Sequence, residues 1–176
     1  MAIKSIIQIG NPILRKKTSL VRDISSLKSK RITRDLIGTL RASSLIGLAA
    51  PQIGQSFQIF ITEMRKTANR KNEDKDKLRI YINPKIIKFS KKTNIGYEGC
   101  GSVGNAQIFG PVKRASEVTI EALNEKGKKI VFKAQNLLAR IIQHESDHLN
   151  GILFTDKISD YKKIMSRDEY KKLLRK

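Results

Sequence analysis

The clearest periodic pattern in the chain lies at residues 135–151, where apolar positions recur at helical spacing. One stripe of this predicted helix combines two apolar residues with two histidines: Leu137, Ile141, His144 and His148. The neighbouring stripe combines three apolar residues with a glutamate: Leu138, Ile142, Glu145 and Leu149. A helix that is apolar over more than half its circumference is predicted to run through the core. Asn136 is its expected N-cap, and Gly151 is expected to follow its last turn.

The rest of the chain predicts a second helix and several short strands. Residues 31–42 place Ile32, Leu36 and Leu40 on one helical face. Four segments have the alternation or composition of strands: 57–61, 79–83, 118–123 and 129–132. Residues 124–127 join the last two as a hairpin. Strands and a hairpin followed by a core helix, without βαβ alternation, indicate an α+β fold.

Three further segments have distinct compositions. Residues 65–77 are charged, which predicts a solvated, mobile insertion. Residues 151–154 are apolar enough to pack back onto the core. The last fifteen residues, 162–176, contain seven Lys or Arg. On a helix they would present one apolar stripe: Ile164, Met165, Tyr170, Leu173 and Leu174. A solvated terminus is the alternative, and we divide the chain into a main domain, 1–161, and a basic tail or helix, 162–176.

Length and composition predict one globular domain in the cytoplasm. The chain has 176 residues, of which 39% are hydrophobic and 30% charged. It contains no run of 18 apolar residues, so no membrane span is expected. Residues 1–8 lack the apolar stretch of a signal peptide.

The charge of the chain is strongly basic, with 36 Lys and Arg against 16 Asp and Glu, a formal net charge of +20. Such a surface favours a polyanionic partner, because neutralised phosphates release counterions. One interpretation is therefore a basic RNA-binding protein with a structural metal. A structural metal site requires four protein ligands, however, and the sequence offers only three candidates. The sequence also contains no aromatic-rich strand that could serve as a base-stacking platform.

The two histidines of the chain stand four residues apart in His144-Glu145-Ser146-Asp147-His148. Residues i and i+4 of a helix share a face, so both imidazoles can bind one metal ion. Glu145 then lies close enough to take a proton from a water that the metal activates. The alternative is a pair of surface histidines without a metal.

A third ligand is needed, and no third histidine exists. Downstream acids lie in or near the basic tail. Upstream stands the single cysteine, Cys100, between Gly99 and Gly101. A lone cysteine is often a small buried hydrophobe, but the flanking glycines allow the backbone to approach a metal or substrate closely. Cys-His-His with a fourth position open is a sound catalytic site. It would also suit a zinc peptidase, which cleaves internal bonds of unblocked peptides.

A third segment, 47–54, contains Gln52 directly after Pro51. Proline disfavours helix at Ala50, so a helix is expected to end here and an extended segment to begin. The Gln52 amide would then lie at a helix-to-strand junction, where it can donate to an oxyanion. Taken alone, the segment is an ordinary Ala/Gly-rich turn.

Together, in this order, the three segments resemble the signature motifs of peptide deformylases. The family pattern is Gly-x-Gly-Leu-Ala-Ala-x-Gln, then Glu-Gly-Cys-Leu-Ser, then Gln-His-Glu-x-Asp-His-Leu-x-Gly. The third is complete at residues 143–151. The first has Leu45 in place of its leading Gly, and the second has Gly101 in place of its Leu. Residues 10–15, near the amino end, and residues 81–86 are also similar to the family. The resemblance covers residues 3–158.

The resemblance implies the fold and the roles of the site residues. Small mixed or antiparallel sheets should pack around the central motif helix. Cys100, His144 and His148 should hold one divalent metal, Fe(II) or Zn(II). The expected catalytic groups are Glu145 as proton carrier, with the Gln52 side chain and the Gly101 N–H as oxyanion donors. The expected methionine pocket and substrate contacts are Ile46, Gly47, Gly99, Leu137 and Ile141.

The resemblance also implies the reaction and the partners. The enzyme is expected to hydrolyse the N-formyl group from the formyl-methionine of newly made proteins and to release formate. Related enzymes act on nascent chains, some through a C-terminal helix. The basic tail, 162–176, is therefore expected to contact ribosomal RNA. Neither departure from the motifs removes a catalytic group, because glycine at position 101 keeps the N–H.

Overall fold

Two antiparallel sheets and three helices make up the part of the chain that the computed structural model describes, residues 2–65 and 75–174. The helices are α1 (Leu27–Arg41), α2 (Asn136–Leu149) and α3 (Arg167–Leu173). The strands are β1 (Gly47–Ala49), β2 (Ile59–Met64), β3 (Asp76–Phe89), β4 (Thr93–Gly99), β5 (Ile108–Ala115), β6 (Glu117–Leu123), β7 (Lys129–Gln135) and β8 (Met165–Ser166). The α+β expectation is confirmed. Most of the predicted insertion at 65–77 lies outside the described residues.

The larger sheet has the strand order β1-β2-β3-β6-β7, and the smaller has the order β4-β5-β8. The predicted hairpin between β6 and β7 is present, with the Gly127 N–H donating to the Asn124 carbonyl at 2.9 Å. Along β6 the side chains of Val118, Ile120 and Ala122 are buried in alternation. This is the pattern that the sequence predicted for a strand with one face on the core.

Strand β2 overlaps the strand predicted at 57–61, and all six of its residues are buried. In the fold, Ile59 and Ile61 pack on the α1 side of the sheet, while Phe60 packs on the α2 side against Tyr81. A helix covers each face of this sheet, so β2 is buried on both sides.

Helix α1 begins four residues before the predicted start. Ser26 is its N-cap, and the Ser26 hydroxyl accepts a hydrogen bond from the Ser29 N–H. The predicted face of Ile32, Leu36 and Leu40 is buried against the sheet.

Helix α2 lies between the two sheets, as the pattern at residues 135–151 predicted. Ala139, Ile142 and Leu149 pack on the larger sheet and are at most 2% exposed. On the other side, Arg140 donates to the Val112 carbonyl of β5 at 2.9 Å.

The ends of α2 were predicted with unequal success. Gln135, not Asn136, is the cap residue, and Asn136 has a left-handed φ of 53°. Gly151 follows the last turn with φ 74°, as expected, and its N–H donates to the His148 carbonyl. Beyond it, Leu153 and Phe154 are buried, which confirms the apolar segment at 151–154.

The basic tail does not form one continuous helix. Met165–Ser166 pairs with β5 as strand β8, so Ile164 and Met165 cannot belong to the predicted helical stripe. Helix α3 follows, capped by the Ser166 hydroxyl. Its Tyr170 ring stacks on Phe109 at a centroid distance of 4.5 Å. Across residues 2–65 and 75–174, no helix has the length and apolar content needed to span a membrane.

The close approach at Gly151 generates a stability prediction. A Cβ at Gly151 would lie 2.5 Å from the carbonyl oxygen of Arg15, whereas a Cβ at Gly127, at φ 75°, would make only an ordinary contact of 3.8 Å with Ile24 Cδ1. Gly127→Ala should cost about 1–2 kcal/mol for its left-handed backbone. Gly151→Ala should lower the free energy of unfolding by a further ~1–3 kcal/mol, because the overlap forces the backbone to move. Urea denaturation of both variants measures the difference, and equal losses would contradict the prediction.

Candidate metal centre

The two histidines lie one turn apart on α2 and face the smaller sheet. Their ring centroids are 4.9 Å apart, and the His148 side chain is fully buried. Burial holds the pKa of His148 well below its usual value, which keeps the imidazole neutral. A neutral ring has a free lone pair for a metal ion.

Cys100 follows the last residue of β4 and points at the histidines. It is 2% exposed, and its Sγ lies 3.2 Å from His148 Nε2. The three ligand atoms of Cys100, His144 and His148 all lie within 4.8 Å of one another. Among the described residues, no other group of three or more His, Cys, Asp or Glu converges in this way. The fold thus brings together three candidates that are separated by up to 48 residues.

Glu98 orients one of these ligands, a role that the sequence interpretation missed. Its Oε2 accepts a hydrogen bond from His144 Nδ1 at 2.9 Å, which leaves His144 Nε2 for a metal. Arg114 forms two hydrogen bonds of 2.9 Å with the same carboxylate. Burial alone would raise the pKa of Glu98, but the hydrogen bonds from His144 and Arg114 hold it well below its usual value. The sequence offered one sign of this role, which is the position of Glu98 two residues before Cys100.

Gln52 lies beside the sulfur of Cys100, but the local structure around Gln52 is the reverse of the prediction. The expected helix-to-strand junction is wrong: β1 comes first, and Ala50–Ile53 then forms a 3₁₀ helix. Proline is tolerated in the first turn of such a helix, so Pro51 did not exclude it. The Gln52 Oε1 accepts from the Ala49 N–H at 2.8 Å, and Nε2 lies 3.5 Å from Cys100 Sγ.

Glu145 is buried next to the ligand candidates. It is 3% exposed, and its Oε2 has no hydrogen-bond partner among the described residues. Burial raises the pKa of Glu145 to about 7. The carboxylate fits only because Gly47 has no side chain, since a Cβ there would lie 2.4 Å from Glu145 Oε1.

A cavity of about 470 Å³ opens over these groups. All five residues expected to contact substrate line it: Ile46, Gly47, Gly99, Leu137 and Ile141. The sequence interpretation did not predict the aromatic and basic residues that also line it: Tyr97, Phe109, Arg140, Arg167, Tyr170 and Lys171. Arg140 contacts Glu98 at 2.8 Å, so it faces the site and not the solvent. Arg167, Tyr170 and Lys171 belong to α3, so the tail packs beside the cavity.

The donor set suits a divalent transition metal. One thiolate and two imidazoles leave a fourth tetrahedral position open, as in catalytic zinc sites. The Gln52 amide near Sγ and the Glu98 carboxylate on His144 are the outer partners that such ligands normally have. Glu145 Oε2, which has no hydrogen-bond partner in the described part of the chain, lies in the same buried site.

Comparisons with known proteins agree with this geometry. The family model for polypeptide deformylase matches residues 3–164. The peptide deformylase of Pseudothermotoga lettingae is 38% identical over 98% of this chain and 93% of its own length. That of Thermomicrobium roseum is 39% identical, over 91% of this chain and 88% of its own.

Solved structures give the same result. The Met-Ala-Ser-bound peptide deformylase of Acinetobacter baumannii is 30% identical, with a TM-score of 0.83 over 89% of this chain and 99% of that one. The peptide deformylase of Thermotoga maritima has a TM-score of 0.80 at 29% identity, over 91% of this chain and 100% of that one. With the family model matched over most of its length, the chain belongs to the polypeptide deformylase family.

Proposed function

We propose that this protein hydrolyses the formamide at the N-terminus of formyl-methionine polypeptides, with formate and a free N-terminal methionine as products. The observation that carries the proposal is the convergence of Cys100, His144 and His148 beside the buried carboxylate of Glu145. Membership of the deformylase family supports it. The A. baumannii relative binds Met-Ala-Ser, which supports a methionine-led peptide as the ligand of this cavity.

The metal would be held by Cys100, His144 and His148, with Fe(II) and Zn(II) as the two candidates. When bound, a divalent ion supplies Lewis-acid chemistry that makes water more acidic and a carbonyl more electrophilic. Glu98 keeps the His144 ring in one orientation and tautomer, with its Nδ1 proton directed at the carboxylate.

Glu145 is the proposed proton carrier. Its carboxylate takes a proton from the attacking water and then delivers it to the leaving amine nitrogen. A pKa raised to about 7 by burial suits a group that must both accept and donate near neutral pH. The absence of a Cβ at Gly47 leaves the space that this carboxylate occupies.

The developing oxyanion is proposed to accept hydrogen bonds from the Gln52 side-chain amide and the Gly101 N–H. The Ala49 N–H holds the Gln52 oxygen at 2.8 Å, so the amide nitrogen is turned toward the site before substrate binds. Such preorganised donors stabilise charge that appears only in the transition state. The methionine side chain would enter between Ile46, Leu137 and Ile141, with Gly47 and Gly99 contacting the peptide along the cavity wall.

The basic tail is proposed to contact ribosomal RNA, where nascent chains emerge in the cytoplasm. Lys162 and Lys163 are exposed just before β8 and support this role. Helix α3 also lines the cavity, so the proposed boundary at residue 161 leaves part of the cavity wall in the basic tail.

The role of Glu145 is tested by Glu145→Gln. The variant should retain close to one metal per chain and lose kcat by on the order of 10²–10⁴, the usual contribution of general acid–base catalysis. Elemental analysis and formate release from formyl-Met-Ala-Ser measure the two effects, with the exposed hairpin variant Glu125→Gln as control. Loss of the metal, or near-normal turnover, would refute the assignment.

The role of Cys100 is tested by Cys100→Ser and Cys100→Ala. Metal affinity should fall by more than the roughly 10–100-fold that outer partners of a ligand typically cost. The cobalt-substituted parent should show a thiolate-to-metal charge-transfer band that both variants lack. If the buried cysteine had only a packing role, the cobalt-substituted parent would lack this band and Cys100→Ala would keep the metal content of the parent.

Ribosome contact is tested by charge reversal, because deleting the tail would also remove a wall of the cavity. Lys162→Glu with Lys163→Glu should weaken co-sedimentation with ribosomes and reduce its dependence on salt. Turnover of short formyl peptides should be unchanged. The matched control, Lys126→Glu with Lys128→Glu, alters exposed lysines of the β6–β7 hairpin. Equal ribosome binding by both double variants would exclude the tail as the contact.

A further inference from the structure

At Gly101 a larger residue is restricted by space and not by backbone conformation. Its φ lies outside the left-handed region, so an L-residue would fit the backbone. A Cβ at this position, however, would lie 2.8 Å from Leu45 Cδ1 and 3.2 Å from Ile6 Cδ1. Carbon atoms do not approach to 2.8 Å without something moving. The Leu45 side chain therefore occupies the space in which a side chain of residue 101 would begin.

Leu45 and Gly101 are also the two positions at which this chain departs from the deformylase motifs. The family pattern has glycine where Leu45 stands and leucine where Gly101 stands. The two positions are 56 residues apart in sequence but meet across the wall of the cavity. The two departures therefore meet at one place in the fold. The Leu45 side chain lies where a side chain of residue 101 would begin, and residue 101 has none.

The loop around Gly101 is held on its remaining sides by the amino-terminal segment. The Gly101 carbonyl accepts a hydrogen bond from Gln8 Nε2 at 2.9 Å, and the Ser102 carbonyl accepts from the Ile9 N–H at 2.7 Å. Ile6 packs with Leu45 in the core cluster under α1. The backbone of residue 101 has no side chain of its own to anchor it, so these neighbours decide its orientation.

We propose that Leu45 is a positioning residue that holds the Gly101 N–H in place for the oxyanion. Its branched side chain packs against the Gly101 backbone and takes over the anchoring that a residue-101 side chain would give. The inference rests on the proposed function, because it assigns a purpose to one of the two oxyanion donors. A donor that contacts charge only in the transition state affects kcat more than KM.

The experiment is a double-mutant cycle with Leu45→Ala, Gly101→Ala and the combined variant. Gly101→Ala should lower kcat by about 10–100-fold, the loss expected when an oxyanion donor is displaced. KM should change by less than about twofold. Shortening Leu45 makes room for the added methyl, so the combined variant should regain at least about fivefold in kcat over Gly101→Ala. The reciprocal exchange, Leu45→Gly with Gly101→Leu, should likewise exceed Gly101→Leu alone.

A matched control separates contact from general loosening of the core. Leu48→Ala removes the same number of carbons from the same buried cluster, but Leu48 is not among the nearest neighbours of position 101. Combined with Gly101→Ala, it should give no recovery. Rescue by Leu48→Ala, full activity of Gly101→Ala, or independent effects of Leu45→Ala and Gly101→Ala would each overturn the proposal.

The same proteins are compared by urea unfolding and metal content, which do not depend on activity. If Gly101→Ala is too unstable to assay, recovery of its unfolding midpoint by Leu45→Ala supports the contact, and no recovery overturns it. A parent protein that releases no formate would contradict the proposed function alone. The stability cycle would then still decide whether Leu45 holds residue 101.

Discussion

The site depends on one buried carboxylate, Glu98, and on the charged groups that surround it. Its two oxygens accept hydrogen bonds from Arg114 on β5 and from Arg140 and His144 on α2. Arg114 also forms an ion pair with Asp147, which lies on α2. A buried charge is tolerated only when it is fully paired, and removing one partner of such a pair typically costs about 3–5 kcal/mol. The network therefore fixes α2 against the smaller sheet. Cys100 stands two residues after Glu98, so the same contacts set its distance from the histidines.

Close backbone approach is the second constraint on the site. Gly47 lets Glu145 lie against β1, and the Ala49 N–H on the same strand holds the Gln52 amide. Strand β1 thus contacts both the proposed proton carrier, Glu145, and the proposed oxyanion donor, Gln52, although it is only three residues long. Its rigidity comes from burial between α1 and α2 and from pairing with β2. Groups held in this way need little reorganisation when charge develops.

The strongly basic composition has little part in the metal site. The three metal-ligand candidates are two histidines and one cysteine, and the cavity above them is lined by two acids, Glu98 and Glu145, and by three basic residues: Arg140, Arg167 and Lys171. The guanidinium of Arg140 is bound to Glu98. Among the described residues, Lys171 is the one lysine in the cavity lining. In the tail, Lys162 and Lys163 face the solvent, while Tyr170 stacks on Phe109 at the cavity wall.

The sequence by itself determined the elements whose information is local. The spacing of His144 and His148, the core stripe of α2, the β6–β7 hairpin and the α+β class all follow from periodicity and turn chemistry. The motif resemblance also predicted Cys100, Glu145 and Gln52 as site residues, and all three line one cavity. Only the tertiary structure decided what depends on distant neighbours. Burial of β2 on both faces requires two helices from opposite ends of the chain, and β8 exists because β5 offers a free edge. Arg114 belongs to none of the three motifs. The segments around Leu45 and Gly101 give no local sign that these two residues lie next to each other. Those facts depend on which surfaces meet, and local propensity does not encode that.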